Sequence, residues 1–363
     1  MVLNLSFVFF CNNPLLCCLK SSLGSGTMSE YLDSLRGKMV STGYSTEYIE
    51  LCIKYANDLE NNNVPVIFDK AHFLLLTGLK TSELRNILTN KPEHYHEFEL
   101  LVNYRLRNIL APNPLLKQVQ KWIQVFILKP LKVSSWATAY KPGTSIIKNA
   151  KVHVKQDCVI NLDLKNFFDS ITSVRVHKIF RSAGYTKELA TLFTQICTLE
   201  KCLPQGAPTS PYLSNLICRN LDQDLAIFCQ SRAIRFTRYA DDMTFSGGVE
   251  IENYIPNIRK TITKHGFVIN EDKSQVLFRN QRQVVTGLVV NDKVAIKKEF
   301  IRKLSQEIHY CLRFGVSNHI LNSRINKSNY KDHLFGRVYY IRMVNKPLGD
   351  ILLKKLESID WEY

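Results

Sequence analysis

The segment Arg235–Ser246 constrains the fold more than any other part of this sequence. It reads RFTRYADDMTFS, with apolar and polar residues alternating on both sides of a central Ala240-Asp241-Asp242. Alternation with a period of two is typical of β-strands, and aspartate is a common turn residue. The segment therefore predicts a hairpin that carries two carboxylates at its turn. Because such a pair is most often a solvated turn, a second feature is needed before it indicates chemistry.

That second feature is a third acid, Asp163, near the end of the largely apolar run that starts at Cys158. The run predicts a buried strand. A buried carboxylate needs a partner, and a metal cation is the partner that leaves it ionised. Because three convergent acids repel one another, Asp163, Asp241 and Asp242 predict a site for two Mg²⁺ ions, with phosphoryl transfer as its chemistry.

The remaining sequence indicates an α+β protein of ordinary globular composition. Of its 363 residues 45% are hydrophobic, which excludes disorder as the main state. Helical spacing of apolar residues runs from Ser29 to about Asn90, strands alternate with helices from Cys158, and helix returns after Ile296. Residues 1–27 differ in composition from the rest, and we expect them to be a non-core extension, with Met28 as the true start.

The charge of the chain indicates a polyanionic partner. Lysine and arginine exceed aspartate and glutamate by 16, with six of those net charges between Lys297 and Tyr363. A basic surface of this kind is typical of nucleic-acid binding. The ten cysteines lack zinc-like spacing, and no apolar run approaches the length of a membrane span, so we expect a cytoplasmic protein that does not bind membranes.

Ordered motifs resemble those of bacterial reverse transcriptases. Tyr239–Asp242 resembles their Y-A-D-D box, Asp163–Phe168 resembles their first catalytic motif, and Leu203–Pro211 resembles their L-P-Q-G-x-x-x-S-P motif. Two further elements resemble those of the retron type: Asn149-Ala150-Lys-Val-His153 resembles N-A-x-x-H, and Val285-Thr286-Gly287 resembles V-T-G. The resemblance extends from about Met28 to the C-terminus.

This resemblance implies a right-hand polymerase with fingers and palm over residues 28–296 and a helical thumb over residues 297–363 that binds RNA or a duplex. It also implies a nucleotide site. Gln205 and Gly206 would contact the incoming dNTP, and Phe168 would lie under its sugar and exclude a ribose 2′-hydroxyl. Lys273 would lie beside the pyrophosphate, and Arg107 would bind the triphosphate.

The retron resemblance further implies a nucleic-acid partner and a product. The enzyme would bind a cognate structured noncoding RNA, start from a guanosine 2′-hydroxyl within it, and copy part of it into a branched RNA–DNA hybrid. A role in antiphage defence with a separately encoded effector protein is implied as well. The candidate RNA contacts are the residues of the two retron elements, with a hydrogen bond from His153 to RNA or to backbone: Asn149, Ala150, His153, Val285, Thr286 and Gly287.

Two alternatives remain open from the sequence. One is a related enzyme, a group II intron-like or diversity-generating reverse transcriptase. The other is an RNA-binding scaffold, such as an antitoxin component, whose polymerase activity is incidental. The intact set of three acids argues against the scaffold, because RNA binding alone does not require them.

Overall fold

The computed structural model describes residues 28–102, 105–324 and 329–361 and has an α+β architecture with antiparallel sheets. Contacts divide the chain into two compact units. Of the described residues, the first unit comprises those up to Tyr140, Leu164–Asp224 and Ile262–Val268, and the second comprises Lys141–Asp163, Leu225–Thr261 and those from Ile269 onward. The sequence predicts a boundary between palm and thumb at residues 296 and 297. The two units divide the chain differently, and the palm–thumb boundary stays a prediction about function.

The first unit is mainly helical and contains one two-stranded antiparallel sheet, β1 with β2. The helix α5 shows how local sequence sets an element, because Asn113 caps its first turn through Leu116 N and Pro114 follows at the first helical position. The elements in chain order are α1 (Met28–Ser41), α2 (Thr46–Asn61), α3 (Lys70–Thr77), α4 (Thr81–Thr89), β1 (Tyr95–Val102), β2 (Arg105–Pro112), α5 (Pro114–Ile123), α7 (Ser173–Ser182), α8 (Lys187–Cys197) and α9 (Ser210–Ile217).

The second unit contains a four-stranded sheet in the order β4-β5-β3-β6, in which β5 pairs antiparallel with both β4 and β3. A short hairpin and five α-helices accompany it among the described residues. Two helices, α10 and α11, have residues in both units. The elements are α6 (Ile146–Val152), β3 (Cys158–Leu164), α10 (Arg219–Gln230), β4 (Arg235–Tyr239), β5 (Asp242–Gly247), α11 (Ile255–Lys264), β6 (Ile269–Phe278), β7 (Val284–Val285), β8 (Leu288–Val289), α12 (Lys298–Phe314), α13 (Val316–Asn322), α14 (Tyr330–Val344) and α15 (Lys346–Glu357).

One hydrophobic core joins the sheet of the second unit to its C-terminal helices. Val159 of β3 and Val285 of β7 belong to the same buried cluster as Leu304 of α12, Val338 of α14 and Leu356 of α15. The predicted return to helix after Ile296 is confirmed. Because these helices share their buried side chains with the sheet, they stabilise the strands that carry the acids.

Three expectations from local sequence differ from the structure: that Lys273 follows a strand, that Ser210 is the N-cap of the helix that starts there, and that a hairpin turns at Asn291-Asp292. Lys273 lies inside β6 rather than after a strand. The helix at Ser210 has Thr209 as its N-cap, because the Ser210 hydroxyl donates instead to the carbonyl oxygen of Pro204, at 2.8 Å. The hairpin after β6 turns at Thr286-Gly287, both with positive φ, and the later return is a single bridge from Val289 to Ala295. No helix among the described residues is long and apolar enough to cross a membrane.

Candidate active site

The predicted hairpin and the predicted strand bring Asp163 and Asp242 together. In the β3–β5 ladder Asp163 is the direct partner of Asp242, and in the β4–β5 ladder Tyr239 is the partner of Asp242 on the other side. Residues directly opposite in an antiparallel pair project to the same face. Asp241 precedes Asp242 in the turn between β4 and β5. All three acids therefore lie at one end of the sheet in the second unit.

Lys273 contacts the most buried of these acids. Its Nζ lies 2.7 and 3.0 Å from the two carboxylate oxygens of Asp163, whose residue is 6% exposed. Across the part of the chain that the structure describes, no three histidine, cysteine, aspartate or glutamate side chains form a group that could hold a metal ion. In this arrangement the ammonium group, rather than a ring of further ligands, compensates the charge of Asp163.

The ionisation of Asp242 reflects the proximity of the other acids. Although part of Asp242 reaches solvent, its surroundings raise its pKa to about 7. Loss of hydration is the largest cause; the charges of Asp241 and Asp163 and a hydrogen bond with Asp163 add to it, whereas Lys273 opposes it. Like charges brought together disfavour ionisation, and a divalent cation relieves this repulsion. Carboxylate oxygens are the type of ligand that Mg²⁺ prefers, so the chemistry of the three acids suits that ion, although the three side chains do not form a metal-holding group in this arrangement.

A buried arginine supports the turn that carries the acids. Ala240 adopts a left-handed conformation with φ of 59°, which is uncommon for a residue other than glycine. The guanidinium of Arg238, which has no exposed surface, donates from Nη1 to the carbonyl oxygen of Ala240 at 3.1 Å. This hydrogen bond fixes the peptide that immediately precedes Asp241, and therefore orients the turn.

The predicted nucleotide-binding residues other than Lys273 lie in the first unit. Gln205 is half-buried and Gly206 is exposed, in the turn before α9. The carbonyl oxygen of Gln205 accepts a hydrogen bond from Leu110 N of β2 at 2.8 Å. Gly206 has φ of +140°, and a Cβ there would lie 2.6 Å from the carbonyl oxygen of Leu110. A glycine is therefore required here at least by the close approach of β2, and contact of Gly206 with a nucleotide stays a prediction.

Phe168 and Arg107 occupy different local settings in that unit. Phe168 is half-buried in the turns after β3, and its ring centroid lies 5.4 Å from that of Phe167. Arg107 is exposed on β2, where its register partner is Leu100 of β1. Both side chains have surface available for a ligand, which is the minimum that their predicted roles require.

The face of the sheet that carries Asp163 and Asp242 also carries several other polar side chains. The same face includes Asn161 and Thr244, which hydrogen-bond to each other at 3.1 Å, and it continues to Thr237 and Ser246. His153, at the end of α6, bridges the last two hydroxyls, with its Nδ1 2.7 Å from Ser246 Oγ and its Nε2 2.8 Å from Thr237 Oγ1. Burial, followed by the charge of Arg235, lowers the pKa of His153 to about 3, so the imidazole is neutral.

The two retron-like elements contact each other on this face. Asn149 of α6 donates from Nδ2 to the Thr286 hydroxyl at 3.4 Å, and Ala150 lies in the same buried cluster as Val285. Asn149, Ala150, His153 and Val285 are all buried, whereas Thr286 is half-buried and Gly287 is exposed. The expected hydrogen bond from His153 to RNA or backbone is replaced by its bonds to the two hydroxyls. Of the six candidate RNA contacts, Thr286 and Gly287 alone present accessible surface.

Sequence reasoning missed three groups that shape this site. Arg238 and Asn161 were treated as ordinary strand residues, and the hydroxyls of Thr237 and Ser246 were not considered. A polar side chain in an alternating strand normally indicates a solvated face, so no local signal pointed to their burial. The imidazole of His153 is the one signal that could have found the hydroxyls, because a buried histidine needs two partners.

Comparisons with known proteins agree with the motifs. The family model described as reverse transcriptase (RNA-dependent DNA polymerase) matches residues 91–310. The Retron Ec86 reverse transcriptase of Escherichia coli is 30% identical over 314 residues, which cover 84% of this chain and 93% of that protein. The Retron Ec83 reverse transcriptase of the same species is 26% identical, with 75% and 93% covered.

Two further matches come from other organisms. The Retron Mx65 reverse transcriptase of Myxococcus xanthus is 29% identical over 77% of this chain and 69% of that protein. Among solved structures, a telomerase from Candida albicans, in complex with a TWJ fragment of telomeric RNA, has a TM-score of 0.41 and 10% identity over 79% of this chain and 60% of that chain. A TM-score of this size supports no argument about the present chain.

Proposed function

Because this chain belongs to the reverse transcriptases of the retron type, which are RNA-directed DNA polymerases, we propose that Asp163, Asp241 and Asp242 are its catalytic residues. The observation that carries this proposal is the direct pairing of Asp163 with Asp242 across the β3–β5 ladder, with Asp241 next in the chain. These carboxylates would hold two Mg²⁺ ions. Bound there, the ions would supply activation of the attacking hydroxyl and charge neutralisation at the leaving pyrophosphate.

The protein's own groups position the reactants. Lys273 compensates the charge of Asp163 before substrate arrives, and in the proposed complex its ammonium turns to the pyrophosphate oxygens, which are its preferred type of partner. Arg238 holds the turn at Ala240, so that Asp241 and Asp242 keep their orientation while charge develops. Because groups of this kind are already oriented, they stabilise the charge of a transition state without having to reorient as that charge develops.

We propose a right-hand arrangement in which residues 28–296 form fingers and palm and residues 297–363 form the thumb. Gln205, Gly206 and Phe168 would contact the incoming dNTP, with Phe168 excluding a ribose 2′-hydroxyl. Arg107 would bind the triphosphate, because a guanidinium matches phosphate geometry. Support for Arg107 and Phe168 comes from their accessible side chains and from the family resemblance.

The proposed template is a cognate structured noncoding RNA, and the proposed product is a small single-stranded DNA joined to that RNA through a guanosine 2′-hydroxyl. We propose that the complex acts in the cytoplasm, together with a separately encoded effector, in antiphage defence. The seven described cysteines are all free thiols, which suits a reducing compartment. Thr286 and Gly287 are the proposed RNA contacts of the V-T-G element.

One extraction tests this function. Nucleic acid from cells that carry the native locus is separated on a denaturing gel before and after RNase treatment, for the wild type, for Asp241→Asn with Asp242→Asn, and for Asp272→Asn as a matched control. Asp272 is an exposed acid beside Lys273. We expect a DNA band that shortens with RNase in the wild type and in the control and is absent from the double variant. Absence of the band from the wild type, with the RNA expressed, would refute the retron assignment.

A further inference from the structure

One continuous segment of the first unit holds the loop that carries Gln205. We call Pro204–Thr209 the nucleotide loop. Near its start, the backbone N–H of Leu110, in β2, donates to the carbonyl oxygen of Gln205 at 2.8 Å. Near its end, Gln124 donates from its side-chain Nε2 to the carbonyl oxygen of Pro208, also at 2.8 Å. Because both donors belong to the segment that runs from β2 through α5, one part of the chain fixes both ends of the nucleotide loop.

The nucleotide loop depends on donors from elsewhere because proline limits its own. Pro204 and Pro208 lack a backbone N–H. The carbonyl oxygen of Pro204 is satisfied from the same motif, by the Ser210 hydroxyl at 2.8 Å. The carbonyl oxygen of Pro208 accepts instead from Gln124, which lies 84 residues earlier in the chain. Removal of that donor would leave a partly buried carbonyl oxygen unsatisfied and weaken the attachment of the loop at this end.

A π-helical turn begins at Gln124 and continues α5 to Leu128. The carbonyl oxygen of Gln124 accepts a hydrogen bond from Lys129 N, five residues along the chain, at 2.9 Å. Ile127 and Leu128 in this turn have no exposed surface, so packing fixes the turn. Turns of this type are rare and occur frequently at functional sites. The local geometry thus singles out a residue that lies outside every motif recognised in the sequence.

A second glutamine fixes the helix from which Gln124 projects. Gln120 lies four residues earlier, on the same face of α5, and has no exposed surface. Its Nε2 donates to the hydroxyl of Tyr95 in β1 and to the carbonyl oxygen of Ile196 in α8, both at 2.9 Å. These bonds hold α5 against its neighbours, so Gln124 acts on the nucleotide loop from a rigid support.

We propose that Gln124 is a positioning residue for the incoming nucleotide, because its amide holds the nucleotide loop so that Gln205 stays aligned with Arg107. This inference rests on the proposed function, in which Gln205 and Arg107 contact the same dNTP. Arg107 lies three residues before Leu110, so the strand that binds the loop also carries the proposed triphosphate ligand. Because hydrogen bonds weaken steeply outside a narrow range of length and angle, a shift of about 1 Å in Gln205 would remove its contact with the nucleotide.

The test measures DNA synthesis by the full chain on poly(rA) primed with oligo(dT), as the concentration of dTTP is varied. Gln124→Met removes the donor and keeps an unbranched side chain of similar length, and Gln118→Met, at an exposed glutamine of α5, is the matched control. The net value of one hydrogen bond corresponds to about three- to tenfold in affinity. We therefore expect the KM for dTTP to rise about three- to tenfold in Gln124→Met, with kcat within about twofold, and neither to change in the control.

A double-mutant cycle with Gln205→Ala separates positioning from a purely structural role. If Gln124 acts through Gln205, its replacement in the Gln205→Ala background should raise the KM by less than about twofold, because the contact that it positions is already absent. Each variant is compared by thermal unfolding at temperatures above that of the assay. Gln124→Glu keeps the shape of the side chain but replaces the donor with an acceptor, and it decides the matter if Gln124→Met is poorly folded.

Three results would overturn the inference: a KM within about twofold of the wild type in both Gln124 variants, an equal rise in Gln118→Met, or effects of Gln124→Met and Gln205→Ala that multiply. An unchanged KM in Gln205→Ala alone would refute the proposed nucleotide contact and the positioning role together. These results presuppose synthesis by the wild type. Its absence on this primed template would refute the proposed function itself, so the two failures are distinguishable.

Discussion

Replacement of His153 by glutamine should remove a defined part of the pH dependence of the second unit's stability. The imidazole is fully buried between Thr237 and Ser246, and its pKa falls from 6.5 to about 3 in the folded chain. The unfolded chain therefore binds a proton below pH 6.5 that the folded chain does not bind. This lowers stability as pH falls from 6.5 toward 3, and the cost at pH 5.0 relative to pH 7.5 is about 2 kcal/mol.

The assay uses urea unfolding at pH 7.5 and pH 5.0, followed by tryptophan fluorescence. The chain has three tryptophans, and only Trp361 belongs to the second unit, so Trp122→Phe with Trp136→Phe leaves a reporter for that unit. In this background we expect the change in the free energy of unfolding from pH 7.5 to pH 5.0 to be about 2 kcal/mol less favourable with His153 than with His153→Gln. The comparison removes the opposite contribution of other groups such as Asp242. Glutamine also satisfies the two hydroxyls less well, so the variant should start about 1–3 kcal/mol less stable at pH 7.5.

A matched substitution separates this effect from that of another histidine. Burial lowers the pKa of His72 to about 4, but His72 belongs to the first unit. His72→Gln should therefore leave the Trp361 transition unchanged at both pH values. An identical pH slope for His153 and His153→Gln would refute the reasoning, and so would a well-folded His153→Gln that loses RNA binding at pH 7.5, because a buried imidazole cannot contact RNA.

Three further outcomes follow from the site. Gly206→Ala should lower both the melting temperature and DNA synthesis, since its Cβ would lie 2.6 Å from a β2 carbonyl oxygen. Gly37→Ala, in the middle of α1 with nothing within 4 Å, should leave synthesis unchanged and should not lower the melting temperature. Lys273→Met should reduce the rate of DNA synthesis about tenfold or more on a defined RNA template, because Asp163 loses its cation, and Lys273→Arg should retain more activity. Because the pKa of Asp242 is raised to about 7, protons should compete with Mg²⁺ for this carboxylate below that pH. The Mg²⁺ concentration that gives half-maximal DNA synthesis should therefore rise as the pH is lowered from 8 to 6. The same Mg²⁺ requirement at both pH values would contradict this.

The sequence predicted the parts of the site that depend on local pattern. The alternation around Ala240 predicted the hairpin, and the apolar run before Asp163 predicted the strand, both of which the structure confirms. The antiparallel register that makes Asp163 the partner of Asp242 is not a local property. It depends on which strands pair and in which order, and no periodicity within β3, β4 or β5 specifies that choice.

The role of Gly206 shows a different limit. A glycine in a loop before a helix indicates a special backbone conformation or a close approach, and the sequence pointed only to a nucleotide as what approaches it. The partner is Leu110 of β2, nearly one hundred residues earlier in the chain. Contacts of such separation are set by tertiary packing, so the sequence could name the constraint at Gly206 but not what imposes it.

The strongest departure from the sequence pattern is that both faces of the central hairpin are buried. Alternation in β4 and β5 predicts one solvated face, yet Thr237, Arg238, Thr244 and Ser246 are each at most 5% exposed. Each polar group is instead matched by a partner: His153 for Thr237 and Ser246, Asn161 for Thr244, and the carbonyl of Ala240 for Arg238.

The alternating polar residues of this hairpin therefore do not mark a solvated face; they mark buried groups that need hydrogen-bond partners. Because a buried polar group is tolerated only when it is hydrogen-bonded, the hydroxyls of β4 and β5 require α6 to cover them with an imidazole. At the other end of this face the polar groups are Asp163 and Asp242, and Lys273 of β6 compensates the charge of Asp163. The N-A-x-x-H element and the acids thus lie on one sheet face, where the first satisfies the hydroxyls of β4 and β5 and the second supplies the carboxylates that we propose as ligands of Mg²⁺.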